Sequence, residues 1–182
     1  MLPKYFATKN LNKIKEVNAI LGYELEQIAI DLYEPQAIDL SKIISEKAQD
    51  AFNKTGKTVL VEDTAIEFNG WNGLPGALVK WFLDTVGNEG LIKMMAGFED
   101  RSAVAKTAVA FFDGEKTHSF IGTIKGKISD SVRGDDVFGW DPIFIPDGSS
   151  KTFAEMTKEE KNEISMRKKA LELMKKSITS IN

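Results

Sequence analysis

A chain of 182 residues with 42% hydrophobic and 28% charged side chains has the apolar content for a packed core, so disorder, collagen and coiled coil are excluded. The 24 Lys+Arg nearly offset 27 Asp+Glu, a net charge of -3, so no whole-molecule field attracts a polynucleotide and nucleic acid is not an expected partner. The absence of cysteine removes disulfides, thiolate zinc sites and a cysteine nucleophile, and fits a reducing cytoplasm.

The length predicts one domain over residues 1–182. Met1 to Asn10 lacks the apolar run of an export signal, and nothing later reaches about 18 apolar residues, so no membrane partner is expected. Lys4 to Thr8 predicts a short strand; Ile14, Val17, Ile20 and Leu21 at helical spacing then predict a helix starting close to Asn10. The turn between them, Thr8-Lys9-Asn10-Leu11-Asn12-Lys13, puts a hydroxyl, an amide and two cations at a helix amino terminus. That suits an anion, or else an Asn10 cap with solvated lysines. A second helix runs from Asp39 to Thr55, with Leu40, Ile44, Ala48, Ala51 and Phe52 on one face and Gly56 as its stop. Lys47 lies at the edge of that face, where a snorkelling side chain is the default reading.

Thr58 to Val61 predicts a buried strand ending in Glu62-Asp63-Thr64, which sets carboxylates at the carboxyl end of a parallel strand, where open α/β sheets bind ligands. Glu34, Glu62 and Asp63 are the candidate hard-metal ligands; Glu62 and Asp63, adjacent on a strand, point to opposite faces, so one of them faces the site. Gly56-Lys57-Thr58 imitates a phosphate-binding P-loop but has Ala51 where the first glycine is required. Gly70 to Gly76 is a glycine-rich loop, followed by helices Ala77 to Thr85 and Glu89 to Ala96. Ser102 to Phe112 and Lys116 to Ile128 flank Asp113-Gly114 as a hairpin, so the sheet is mixed; the single histidine, His118, reads as an ordinary strand residue. Val132 to Asp141 is a polar loop in which Trp140 either packs or offers a flat face to a base, and Pro142 to Pro146 is a last strand. From Thr157 the chain is helical, opened by a Thr157–Glu160 capping box and striped by Ile164, Leu171, Met174 and Ile178.

In this order Thr8-x-Asn10-x-x-Lys13, Asp31-Leu32-Tyr33-Glu34, Val61-Glu62-Asp63-Thr64, Gly73-Leu74-Pro75-Gly76, Lys80-Trp81-Phe82, Phe138-Gly139-Trp140-Asp141-Pro142 and Glu160-Lys161-Asn162 form one pattern. With Ala96 to Asp100 and Thr152 to Met156, the chain resembles the inosine triphosphate pyrophosphatase family, the Ham1-like noncanonical purine NTP pyrophosphatases, from Thr8 to Arg167. The resemblance implies an elongated α/β domain with a mixed twisted central sheet flanked by helices and a cleft between two lobes. It implies hydrolysis of ITP, dITP and XTP between the α and β phosphates, giving a monophosphate and pyrophosphate. Thr8, Asn10 and Lys13 would hold the triphosphate, with Lys9, Leu11 and Asn12 completing the loop. Glu34 and Asp63 would bind Mg²⁺, with Asp63 orienting or deprotonating water and Glu62 assisting. Lys47 and Lys80 would position phosphates, with Thr64 beside Asp63. Phe138, Gly139, Trp140 and Asp141, joined by Lys161, Met166 and Arg167, would form the base pocket. A homodimer is implied, and Gly73 to Leu83 suits either its interface or a loop over the cleft.

One departure is Ser165-Met166-Arg167, where the family usually has Ser-His-Arg. A base-edge hydrogen bond is lost while Arg167 still donates to a purine 6-oxo group, so altered base preference with intact pyrophosphate chemistry is expected. The other readings are a Maf-like nucleotide pyrophosphatase with a different base preference and a catalytically weak nucleotide sensor.

Overall fold

The structure, a computed structural model, describes residues 3–135 and 138–179; residues 1–2, 136–137 of the loop before Phe138, and 180–182 lie outside the described residues. The chain runs β1 (Tyr5–Ala7), α1 (Leu11–Leu21), β2 (Glu26–Ile28), α2 (Leu40–Thr55), β3 (Val59–Phe68), β4 (Pro75–Gly76), α3 (Val79–Thr85), α4 (Gly87–Met95), β5 (Ser102–Phe112), β6 (Thr117–Ile128), β7 (Phe144–Pro146), α5 (Lys158–Ile164) and α6 (Met166–Thr179). The sheet order is β2-β1-β3-β5-β6-β7, with β4 beside β3. β1 is parallel to β2 and β3, and every other pairing is antiparallel, so the sheet is mixed as predicted.

Local signals set the helix ends. Asn10 caps α1 by accepting from the backbone N–H of Asn12 and Lys13; Asp39 caps α2, and Gly56 closes it at φ 64, a conformation that favours glycine. Alternation along β3 then divides the core. Val59, Val61 and Ala65 face α2 with Leu40, Ile44, Ala48 and Ala51, while Leu60 joins Phe6, Val17, Leu171 and Met174 under α1 and α6. A third cluster, with Ile66, Phe68, Leu91, Met95, Phe144 and Phe153, fills the lobe built on α3 and α4. Among the described residues no helix is long and apolar enough to cross a membrane.

Three expectations change. β3 does not stop at Glu62-Asp63-Thr64 but runs on to Phe68, because the antiparallel ladder with β5 continues from Val61↔Ala110 to Phe68↔Ala103. The carboxylates therefore sit in mid-strand, just beyond the end of β1, whose pairing with β3 ends at Phe6↔Leu60. The carboxy-terminal helix is two helices: Ser165 ends α5 in an extended conformation, and its hydroxyl accepts from the N–H of Lys168 in α6 at 3.1 Å. β2 and β4, three and two residues long, were too short to leave a periodic signal. The start of α6 lies against β6 at Gly122, where a Cβ would come 1.9 Å from the Met166 carbonyl oxygen; only glycine lets the helix carrying Met166 and Arg167 come so close.

Candidate active site

A cleft of ≈ 610 Å³ is walled by the start of α1 (Asn10, Asn12, Lys13), mid-β3 (Asp63, Thr64), one face of α3 and α4, the segment Phe138–Asp141, Lys161, Met166 and Arg167. A second cavity of ≈ 440 Å³ lies among Thr8, Lys9, Asn10, Lys13, Asp31, Glu34, Lys47, Glu62, Asp63 and Lys80. A third, of ≈ 190 Å³, includes Glu34, Gln36, Asp63, Lys80, Trp81 and Asp84. Asp63 and Lys80 line all three, so one carboxylate and one ammonium stand where the cavities adjoin.

Strand alternation sends the two neighbouring acids to different partners. Asp63 faces α2, where the largely buried Lys47 lies 3.5 Å from its Oδ2 and 2.5 Å from Glu34 Oε1. Burial pulls the Lys47 ammonium down, but Asp63 and Glu34 outweigh it and raise its pKa, so it stays charged. Burial likewise pushes Glu34 up, and Lys47, helped by Lys13 and Lys80, lowers it overall. Glu62 faces α1 and α6 and is fully buried. Its oxygens accept from Arg167 Nε at 2.7 Å and Nη2 at 2.9 Å, and Lys13 Nζ stands 3.4 Å away. Burial raises the Glu62 carboxyl, but Arg167 and Lys13 hold it at about 2. Both Glu62 oxygens thus accept from a bidentate guanidinium, with Lys13 close by, while Glu62 still lines the second cavity.

Arg167 enters the cleft wall already anchored, with Nε and Nη2 bound to Glu62 and Nη1 to Glu16, and each terminal nitrogen keeps a second N–H donor. Glu16 also stands 3.3 Å from Lys161, whose Nζ donates to Asp141 Oδ2 at 2.5 Å and lies 5.1 Å above the Phe138 ring. Burial pushes the Asp141 carboxyl up to about 6, because Lys161 offsets only part of the desolvation and Glu16 adds to it. Trp140 packs: it is buried edge-on to Phe144 and tilted over Phe153, although its segment borders the cleft. Met166 is buried in the same lobe and also borders the cleft.

The loop before α1 divides. Thr8 Oγ1 accepts from the Asn10 N–H at 3.0 Å, and Asn10, as helix cap, takes two first-turn N–H groups itself. Lys13 points into the cleft region, whereas Lys9 reaches out to Asp31 at 2.5 Å and Leu11 is exposed, lining none of the three cavities. Asp63 Oδ1 accepts from its neighbour Thr64 N–H at 2.8 Å, which orients that carboxylate. Among the described residues, no group of three or more His, Asp and Glu is arranged to hold a metal by itself. His118 lies on β6, 2.6 Å from Asp113 and stacked on Phe111.

Residues 4–177 match the Ham1 family. The chain belongs to that family. This Ham1-family protein is 47% identical over 175 residues to an inosine triphosphate pyrophosphatase of Yarrowia lipolytica, covering 93% of this chain and 92% of that one. It is 40% identical over 171 residues to a dITP/XTP pyrophosphatase of Methanopyrus kandleri, covering 92% and 91%. The solved structure of a HAM1 protein from Coxiella burnetii superposes with a TM-score of 0.85 at 26% identity, over 99% of this chain and all of that one.

Sequence reasoning missed Glu16, Asp84 and Asn88, which are polar residues on faces turned to the site or to its floor. Glu16 was recoverable: it precedes the buried Val17 and follows Lys13 by three positions on the helix that opens the site.

Proposed function

We propose that this Ham1-family protein hydrolyses noncanonical purine nucleoside triphosphates, ITP, dITP and XTP, between the α and β phosphates, releasing the monophosphate and pyrophosphate. The observation that carries the reading is the shared placement of Asp63 and Lys80 where all three cavities adjoin. There a carboxylate can orient water beside an ammonium that takes up phosphate charge, and phosphoryl transfer asks chiefly for such positioning and neutralisation. The phosphates belong to the second cavity, against Thr8, Asn10, Lys13 and Lys47, and the base belongs against Phe138, Gly139, Asp141 and Lys161.

The second cavity argues for a metal. Its lining has four lysines (Lys9, Lys13, Lys47, Lys80) and four carboxylates (Asp31, Glu34, Glu62, Asp63), which sum to zero, so a polyanion needs added positive charge to be held. Glu34 and Asp63 share one cation, the Lys47 ammonium, and they form an all-oxygen pair of the kind Mg²⁺ takes when phosphates supply its other ligands. When bound, the ion supplies charge neutralisation at the phosphate oxygens and a more acidic water. The protein's own share is to hold Asp63 by its Thr64 N–H bond and to keep Lys47 charged between the two acids.

The cytoplasm is the proposed site of action, and a homodimer the proposed assembly. The latter is supported by the apolar groove of Trp81, Phe82, Val86 and Met94, three of which are exposed large side chains. In the stretch Gly73 to Leu83, Lys80 and Leu83 line the cleft, Phe82 borders the groove, and Trp81 borders both the groove and the third cavity, so the same stretch would join the proposed interface to the site. The test is pyrophosphate and orthophosphate release with Mg²⁺ from ITP, XTP, GTP, ATP and dTTP. Pyrophosphate from ITP and XTP with little from ATP is expected. Orthophosphate release, or binding without turnover, overturns the reading in favour of other nucleotide chemistry or a sensor. Light scattering at micromolar concentration reports the assembly, and a monomer overturns the dimer.

A further inference from the structure

The face that α3 and α4 turn to the cleft has a polar residue at every fourth position: Lys80, Asp84 and Asn88, flanked by Val79, Leu83 and Gly87. The two helices meet at Val86, which closes α3 by donating its N–H to Phe82 O at 2.8 Å and opens α4 by accepting from Gly90 N–H at 3.1 Å, with Gly87 at φ 67 turning the chain between them. The step from Lys80 to Asp84, within α3, advances about 6 Å, and Asn88 lies beyond the turn, in the first turn of α4. The two ends of this row have fixed neighbours. Lys80 shares all three cavities with Asp63, and Asn88 Nδ2 donates to the carbonyl oxygen of Gly139 at 2.9 Å, beside Phe138.

Asp84 lies between those ends. It is exposed, it lines both the main cleft and the third cavity, and among the described residues it makes no ion pair. Lys80 stands one turn earlier, at the spacing that joins Asp50 to Lys54 at 2.7 Å in α2, yet the two remain apart. The carboxylate is thus an unclaimed acceptor on the cleft wall between Lys80 and Asn88.

An ionised carboxylate accepts hydrogen bonds and donates none, and it repels phosphate. The part of a nucleotide that offers hydroxyl donors and no charge is the sugar. Given the proposed nucleotide site, phosphates at Lys80 and a base at Phe138–Gly139 bring the sugar opposite Asp84. We infer that Asp84 is a substrate-binding residue that accepts a charge-assisted hydrogen bond from the 3′-hydroxyl of the sugar, the hydroxyl common to ribo- and deoxyribonucleotides. A 3′-phosphorylated nucleotide is rejected at the same point by like charge.

The test compares wild type, Asp84→Ala and Asp84→Asn with ITP, dITP and 2′,3′-dideoxyinosine triphosphate, by kinetics of pyrophosphate release and by equilibrium binding. Wild type is expected to show a KM about tenfold higher for the dideoxy compound than for dITP, about 1.4 kcal/mol. Asp84→Ala raises KM about tenfold for ITP and dITP with kcat within about twofold, and it leaves the dideoxy KM unchanged; Asp84→Asn falls between. An equal rise for all three nucleotides means a general electrostatic or structural effect and overturns the inference. A rise for ITP alone overturns the assignment to the 3′-hydroxyl. If no pyrophosphate is released, the proposed reaction fails, but binding still decides the role of Asp84. A dideoxy penalty that vanishes in Asp84→Ala upholds it, and equal affinities, or no binding at all, overturn it.

Discussion

The two ends of the cleft treat charge in opposite ways. Toward the base end the charges are buried and already bonded to one another: Arg167 to Glu62 and Glu16, Lys161 to Glu16 and Asp141. Toward the phosphate end Lys9 and Lys80 are exposed, and Glu34 is half in solvent. The charges of the buried network are paired among themselves, whereas at the proposed phosphate end, apart from Glu62 of that network, only Lys47 is largely buried and the charges around it reach solvent. Two carboxylates within the network sharpen the point. Glu62 has a bidentate guanidinium and a lysine and is held at about 2, while Asp141 shares a single lysine with Glu16 and is pushed up to about 6. Burial alone does not decide the state of a buried acid; the balance of the charges around it does, and Asp141 has a neighbouring carboxylate, Glu16, working against its cations.

The largest way to break this contrast is Asp63→Asn, which should lower kcat by about a thousandfold, equivalent to about 4 kcal/mol, while leaving the unfolding midpoint near wild type. Stopped assays and thermal melts check both halves; turnover near the wild-type rate would remove Asp63 from its role. At the buried end, Arg167→Met should destabilise the fold by about 3–5 kcal/mol, because Glu62 and Glu16 lose their partner. Adding Glu62→Met should restore part of that loss in urea titrations, and strict additivity would deny the coupling.

Asp141 gives a pH signature. Its carboxyl holds its proton more tightly folded than unfolded, so its stabilising contribution is present below about pH 4 and is lost as pH rises through about 6. A shift of that size corresponds to about 3 kcal/mol, and Asp141→Asn should flatten the stability profile between those pH values by up to that amount. An unchanged profile would mean that Lys161 keeps the acid ionised throughout. The smallest effect is expected from Lys80→Ala: about a tenfold rise in KM for triphosphate, smaller at high salt, with stability altered by less than about 0.5 kcal/mol.

Much of the site was legible because its signals are local. Asn10 and Thr157 were readable as caps, since a cap is defined by residues within three positions of it, and Asp39, read as the first residue of its helix, is in fact its cap. The opposite facing of Glu62 and Asp63 followed from strand period alone, but the expectation that one of them alone faces the site did not hold, since both line the second cavity. The extent of β3 was not legible, because Glu62, Asp63, Thr64 and Glu67 read as a polar end until the β5 ladder pairs them. The break at Ser165 was missed because Ile164, Leu171 and Met174 keep helical spacing across it.

By itself the sequence determined the alternation of strands and helices, the mixed sheet and the family pattern, and it nominated the residues proposed for phosphate and metal chemistry. All of these depend on neighbours a few positions apart or on short motifs. Only the tertiary structure decided which charges are free to act. Glu62 meets Arg167 from 105 residues away, and Glu16 meets it from 151 away, so no local pattern announces either contact. Such pairs form because burying any one of these charges alone is unfavourable, and the fold has to bring each its counter-ion.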